Sequence, residues 1–86
     1  MELDWDTANV SHIARHRVTV DEVEQALRND PVDLGFENDE GEERMTQLGS
    51  TKAGRILVLI WTWRFDRIRV VTAFDATRTM RFRSIL

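Results

Sequence analysis

From Ile56 to Trp61 six apolar residues follow one another without interruption, with Arg55 before them and Thr62-Trp63-Arg64 after. Side chains alternate along a strand, so Ile56, Val58 and Ile60 fall on one face and Leu57, Leu59, Trp61 and Trp63 on the other. A strand that is apolar on both faces has to be covered on both. Arg55–Trp63 is therefore expected at the centre of a sheet. The run is too short for a membrane span, which takes about 20 apolar residues, so no membrane partner is expected.

The rest of the chain supplies neighbours for that strand. Arg64-Phe65-Asp66-Arg67 reads as a tight turn, followed by a strand from Ile68 to Phe74. Strict alternation there puts Ile68, Val70, Thr72 and Phe74 on one face and Arg67, Arg69, Val71 and Ala73 on the other. Upstream, Val32, Leu34 and Phe36 alternate as in a half-buried strand, and Asn38 to Gly41 is a cluster of turn formers. Arg44 to Leu48 is the returning strand, with Met45 and Leu48 partly inward. Gly49 to Gly54 is a hairpin loop carrying Lys52.

Two helices come first. Asp6 can cap a helix over 7–15, with Val10, Ile13 and Ala14 on one face. Thr19 and Glu22 form a capping box for a helix over 20–29. Its buried stripe is Val20, Val23, Ala26 and Leu27, and Pro31 stops it. Ala76 to Leu86 contains no breaker and predicts a short basic C-terminal helix. Two helices, about four antiparallel strands and a last helix define the α+β class. With no repeat, linker or low-complexity tract, residues 1–86 are expected to be a single domain.

Composition narrows the chemistry. The chain has no cysteine, which excludes disulfides, thiolate metal sites and cysteine nucleophiles. Its acidic start, Met-Glu-Leu-Asp-Trp-Asp, is unlike a signal peptide, and the expected compartment is the cytoplasm. Net charge is −3, but it is unevenly placed. Residues 1–43 hold 13 acids and 3 bases, a sum of −10, whereas residues 44–86 hold 2 acids and 9 bases, a sum of +7. Such asymmetry fits either a polyanionic partner for the basic half or pairing of the two halves within one domain. Eleven of the twelve bases are arginine, the side chain whose planar fork grips phosphate bidentately.

The sequence offers few other sites. His12 and His16 stand at i and i+4 on the first helix, without a nearby carboxylate or a His-Glu-x-x-His pattern, so neither a metal nor any other cofactor is expected. Ser11, Ser50 and Ser84 lack a Gly-x-Ser-x-Gly frame. Gly49 to Gly54 lacks the spacing of a phosphate-cradling loop. The acids from Glu37 to Glu43 read as a solvated turn. What remains is the arginine set: Arg55, Arg64, Arg67 and Arg69 around two strands, Arg44 and Lys52 from the neighbouring hairpin, and Arg78 and Arg83 from the last segment. Guanidinium groups converging on a sheet can bind an RNA backbone and stabilise the extra charge of a phosphorane-like transition state. Trp61 and Trp63 fit either the core or a base-stacking surface.

Three stretches of this chain resemble the BrnT family of type II toxins, which has a RelE-like fold. The first holds Trp5-Asp6, Asn9, Ile13, His16, Val18 and Glu22-Val23-Glu24. The second holds Glu42-Glu43-Arg44, Leu48-Gly49 and Gly54-Arg55-Ile56-Leu57-Val58. The third and most specific runs Thr62-x-Arg64-x-Asp66-Arg67-Ile68-Arg69-Val70-Val71-Thr72-Ala73. The resemblance implies a metal-independent ribonuclease that halts translation, partnered by a DNA-binding antitoxin that wraps it and represses their shared operon. It puts His16, Arg44, Arg64, Arg67 and Arg69 forward as functional positions, and Lys52 as a weaker match. The chain departs from the family at Arg17, where glycine is usual, and at Phe74-Asp75, where two bases are usual.

The expected activity is thus RNA cleavage. The 2′-hydroxyl attacks the adjacent phosphate, Arg64, Arg67 and Arg69 stabilise the charge, and His16 or a water transfers the proton. Arg44, Lys52, Arg55, Trp63 and Arg78 would contact the substrate. For His16 the competing role is structural, as the histidine that ends its helix. Phe74 and Asp75 motivate an alternative: a catalytically degenerate binding module that acts through its antitoxin as a co-repressor. A homodimer or a heterotetramer with the antitoxin are the assemblies such a chain allows.

Overall fold

A computed structural model describes residues 2–76. Helices α1 (Thr7–Ala14) and α2 (Val20–Leu27) precede strands β1 (Val32–Asp39), β2 (Glu42–Ser50), β3 (Ile56–Arg64) and β4 (Arg67–Asp75). The strands form one antiparallel sheet in the order β1-β2-β3-β4. The α+β class is as expected, and β3 has a neighbour on each side, as its two apolar faces require. The expected C-terminal helix lies, beyond Ala76, outside the described residues.

Helix α1 starts where its capping chemistry starts. The Asp6 carboxylate accepts from Asn9 N–H at 3.0 Å, and the Asn9 side chain accepts from Asp6 N–H at 2.8 Å. Asn9 Nδ2 also donates to the Asp4 carbonyl at 2.8 Å. With both polar atoms of its amide partnered, Asn9 can be buried beside Ile13. That corrects the expected apolar face, because Val10 and Ala14 are exposed instead. Periodicity finds apolar residues but does not reveal a satisfied polar one.

The end of α1 is a Schellman motif. Val18 N–H donates to the Ile13 carbonyl at 3.1 Å and Arg17 N–H to that of Ala14 at 3.0 Å. Arg17 sits in the left-handed region with φ +59°, the conformation that glycine adopts without steric cost. Helix α2 begins at the Thr19–Glu22 capping box and ends at Leu27, two residues before the expected limit. Val23, Ala26 and Leu27 are buried and Val20 is half-buried. Gly49 lies beneath this helix. A Cβ there would stand 2.8 Å from the Ala26 carbonyl oxygen, so glycine is what lets α2 reach β2.

The core between helices and sheet holds Ile13, Val18, Val23, Ala26 and Leu27 against Leu57, Leu59, Trp61, Ile68, Val70 and Ala73. Trp61 is therefore a core residue, and its Nε1 donates to Gln47 Oε1 at 2.8 Å. The pairing of β3 with β4 contains a bulge. Trp61 faces Val70 and Ile60 faces Thr72, which leaves Val71 as an extra residue. The bulge corrects the strict alternation expected for β4, because it turns Ala73 into the core and moves Thr72 and Phe74 to the opposite face.

Strand β1 is also less buried than expected. Only Leu34 is partly covered, and Phe36 is 57% exposed. The reason is position: α1 packs on β4 and α2 on β2 and β3, so no described helix lies over β1. Alternation predicted the strand correctly but not its burial. The opposite edge, β4, is covered by the N-terminal segment. Asp4 N–H donates to the Ile68 carbonyl at 2.8 Å, and Ile68 N–H to that of Glu2 at 2.9 Å. Among the described residues no helix is long and apolar enough to cross a membrane.

Candidate functional site

Register brings four arginines together. Arg44 of β2 pairs with Thr62 of β3, which pairs with Arg69 of β4, so the three stand in one row across the sheet. Arg64 and Arg67 pair in the next row, beside the β3–β4 turn. Alternation points all four arginines to the face opposite the Leu57–Leu59–Trp61 core. The turn joining Arg64 to Arg67 is two residues long. Phe65 and Asp66 both have positive φ, +50° and +63°, as a type I′ hairpin requires.

Carboxylates orient three of these arginines. Arg69 Nη2 meets Asp6 at 2.9 Å and Nη1 meets Asp4 at 3.6 Å. Its side chain is 19% exposed, and its Nη1 is buried without a hydrogen bond. The Asp6 carboxyl is held below its ordinary value, chiefly by the Asn9 N–H and, against some desolvation, by Arg69. Arg44 contacts Glu42 at 3.0 Å and Asp39 at 3.5 Å. Arg67 reaches Glu2 at 3.3 Å. Arg64 is exposed and has no ion pair among the described residues.

Between α1 and this face lies a cleft of about 260 Å³. Ala8, Asn9 and His12 line it from α1, Glu42 and Arg44 from β2, Thr62 from β3, and Arg69, Val70 and Val71 from β4. The bulge thus forms part of its wall. A second hollow adjoins the hairpin end, lined by Asp4, Asp6, Arg64, Phe65 and Arg67. Phe65 is 89% exposed. Sequence reading passed over it as a turn residue, although an apolar ring between Arg64 and Arg67 was its visible signal.

The other expected site residues lie elsewhere. Arg55 precedes β3, at the opposite end of that strand from Arg64. Its guanidinium is held by Asp75 at 2.8 Å and Glu22 at 3.0 Å, and it donates to the Arg17 carbonyl at 2.7 Å. Asp75 first, and then Glu22, raise its pKa further above the ordinary arginine value. Arg55 therefore clamps the α1–α2 connection to the end of β4, apart from the other arginines. Asp75, where the family usually has a base, is one jaw of this clamp. Phe74 packs its ring 5.8 Å from that of His16.

His16 is exposed at the end of α1 and does not line the cleft, whereas His12 does. The spacing of the two histidines was legible, but which one lines the cleft depended on how α1 docks. Lys52, in the β2–β3 loop, lines a hollow with Asp21, Gln25, Arg28 and Asn29, away from the arginine rows. Trp63 is 58% exposed, but it alternates with Thr62 and Arg64 and so lies on the other face. Its ring stands edge-on to Trp61 at 5.3 Å. Arg78 and Arg83 are outside the described residues. No group of three or more metal-ligating side chains occurs among the described residues.

A family model described as the ribonuclease toxin, BrnT, of type II toxin-antitoxin systems matches residues 5–79 of the 86. No curated protein matches the chain.

Proposed function

We propose that this chain, which belongs to the BrnT family of ribonuclease toxins of type II toxin-antitoxin systems, cleaves RNA on the arginine-bearing face of its sheet and so halts translation in the cytoplasm. The observation that carries this reading is the clustering of Arg44, Arg64, Arg67 and Arg69 on one face beside a cleft. A substrate 2′-hydroxyl attacks the adjacent phosphorus, and the guanidinium groups stabilise the charge that develops on the phosphoryl oxygens. On this reading, arginine supplies the positive charge, in keeping with the metal-independent cleavage that the family resemblance implies. Phe65 offers a ring for an unpaired base. The family implies an antitoxin partner, and we infer that the 86 residues act as one domain.

Arg64→Ala tests the reading most cleanly, because Arg64 has no ion pair to lose among the described residues. Cleavage of single-stranded RNA should fall by about 10²-fold or more if this guanidinium stabilises the transition state, with the melting temperature unchanged. Arg64→Ala combined with Arg69→Ala should abolish both cleavage and growth arrest. Arrest and cleavage that survive the double substitution would refute the mechanism.

A second reading has one observation in its favour. Arg44, Arg67 and Arg69 each already contact a carboxylate, which weakens a bare phosphate-binding surface. On that reading the chain is a catalytically degenerate module that acts through its antitoxin as a co-repressor. Inducing the chain alone in a bacterial host separates the two, since only a toxin arrests growth.

A further inference from the structure

Cleavage by a 2′-hydroxyl needs a group that moves a proton, and the family resemblance offers His16 for it. The structure puts the other histidine beside the arginines. His12 lies in the last turn of α1 and lines the cleft with Arg44, Thr62 and Arg69. His16 is one turn further on, outside the cleft, with its ring against Phe74. The two imidazoles stand edge to face at 5.8 Å. Neither ring nitrogen of His12 has a hydrogen-bond partner among the described residues.

We propose that His12 is the proton-transfer residue of this cleft, and that the cleft seats one phosphodiester of single-stranded RNA between Arg44 and Arg69. The proposal rests on the ribonuclease reading. The 2′-oxygen forms its bond to phosphorus while its proton passes to His12, and the bond from phosphorus to the 5′-oxygen breaks. The leaving 5′-oxygen takes a proton from water, and His12 returns its proton to solvent. The products are a 2′,3′-cyclic phosphate and a 5′-hydroxyl, with no oxidant or co-reactant required.

The geometry supports these roles in three ways. Arg44 and Arg69 flank Thr62 in one row and both line the cleft, so two arginine side chains border the space a phosphate would take. Arg69 Nη1 is buried with no hydrogen bond, 3.6 Å from Asp4, so this guanidinium keeps donor capacity that its carboxylates do not use up. His12 comes from a different element and approaches the same space from the α1 wall. The titratable and charged groups around it are His16 just past its own helix, Glu42 and Arg44 on β2, and Arg69 on β4. An imidazole is the side chain whose ordinary titration lies nearest neutrality, which suits proton transfer at working pH.

The test uses the full chain with a fluorescent single-stranded RNA and a 2′-O-methyl copy that cannot be cleaved. His12→Gln should lower kcat by about 10²–10⁴-fold with unchanged affinity for the 2′-O-methyl RNA and an unchanged melting temperature. It should also remove one limb of the pH–rate profile. His12→Ala should regain cleavage when imidazole is added, and His16→Gln should keep the wild-type profile. Wild-type cleavage with an unaffected His12→Gln rate and profile would overturn the proposal and leave the ribonuclease reading standing. Loss of binding or of thermal stability along with activity would assign His12 a structural role, which also overturns it. A wild-type chain that leaves RNA intact would remove both readings together.

Discussion

Replacing Arg55 separates a structural clamp from a substrate contact. Its guanidinium reaches Glu22 at 3.0 Å, Asp75 at 2.8 Å and the Arg17 carbonyl at 2.7 Å, and its own side chain is 24% exposed. The Asp75 side chain is 66% exposed, so water screens that arm and it adds little. The other two arms are more sheltered. Hydrogen bonds to charged groups contribute about 1.5–3 kcal/mol, and one such arm with partial help from the second gives about 2–3 kcal/mol for Arg55→Met. Methionine keeps most of the aliphatic stem, so this loss is largely polar. For a domain of this size each kcal/mol moves Tm by about 4–8 °C, and the expected fall is roughly 10–20 °C. Circular dichroism melting at neutral pH measures it. RNA cleavage per folded molecule should stay within about twofold of wild type, since surface changes far from a site couple weakly to it. An unchanged Tm with a raised KM would refute the clamp and return Arg55 to the substrate-binding set.

The same clamp sets an acid limb. Glu22 is desolvated, yet Arg55 and the Thr19 N–H hold its carboxyl below the ordinary value. Its contribution is therefore full above the ordinary glutamate range and is lost as pH falls through the lowered value. The stability gap between wild type and Arg55→Met should narrow over that window in urea titrations. Gly49→Ala should cost about 1–3 kcal/mol by overpacking, because its Cβ would meet the Ala26 backbone at 2.8 Å. Gly35→Ala, with nothing within 4 Å, is the neutral control. Arg17→Gly should stabilise the fold by about 1 kcal/mol by relieving a left-handed non-glycine residue, read as a rise in Tm.

Local chemistry was legible in the sequence wherever one segment carried its own signal. The Thr19–Glu22 box, the stop before Pro31 and the double-faced strand at Ile56–Trp61 each specify an element without help from the rest of the chain. Misreadings occurred where a neighbour decides. Phe36 alternates as a buried residue does, but β1 became the edge that no described helix covers. Thr72 and Ala73 exchanged faces because a bulge at Val71 breaks the period of two, and an apolar valine carries no mark of that. Asn9 entered the core because three backbone and side-chain partners happened to surround it.

The candidate site shows the same division. That arginines cluster was readable from their number and from the Arg64-x-Asp66-Arg67-x-Arg69 stretch. Which arginines share a face was not, because it depends on β2 pairing Arg44 with Thr62 and on Arg55 lying at the far end of β3. The charge asymmetry between the halves was open to two readings, and the ion pairs bear out the one in which the halves pair within the domain. Glu22 pairs with Arg55, Asp4 and Asp6 with Arg69, Glu2 with Arg67, and Asp39 and Glu42 with Arg44. The acidic half therefore neutralises much of the basic half within the domain. On the arginine face these carboxylates also fix three of the guanidiniums in place. On the proposed ribonuclease reading, an incoming phosphate would exchange one anionic partner for another on a group already oriented, which favours positioning over raw affinity.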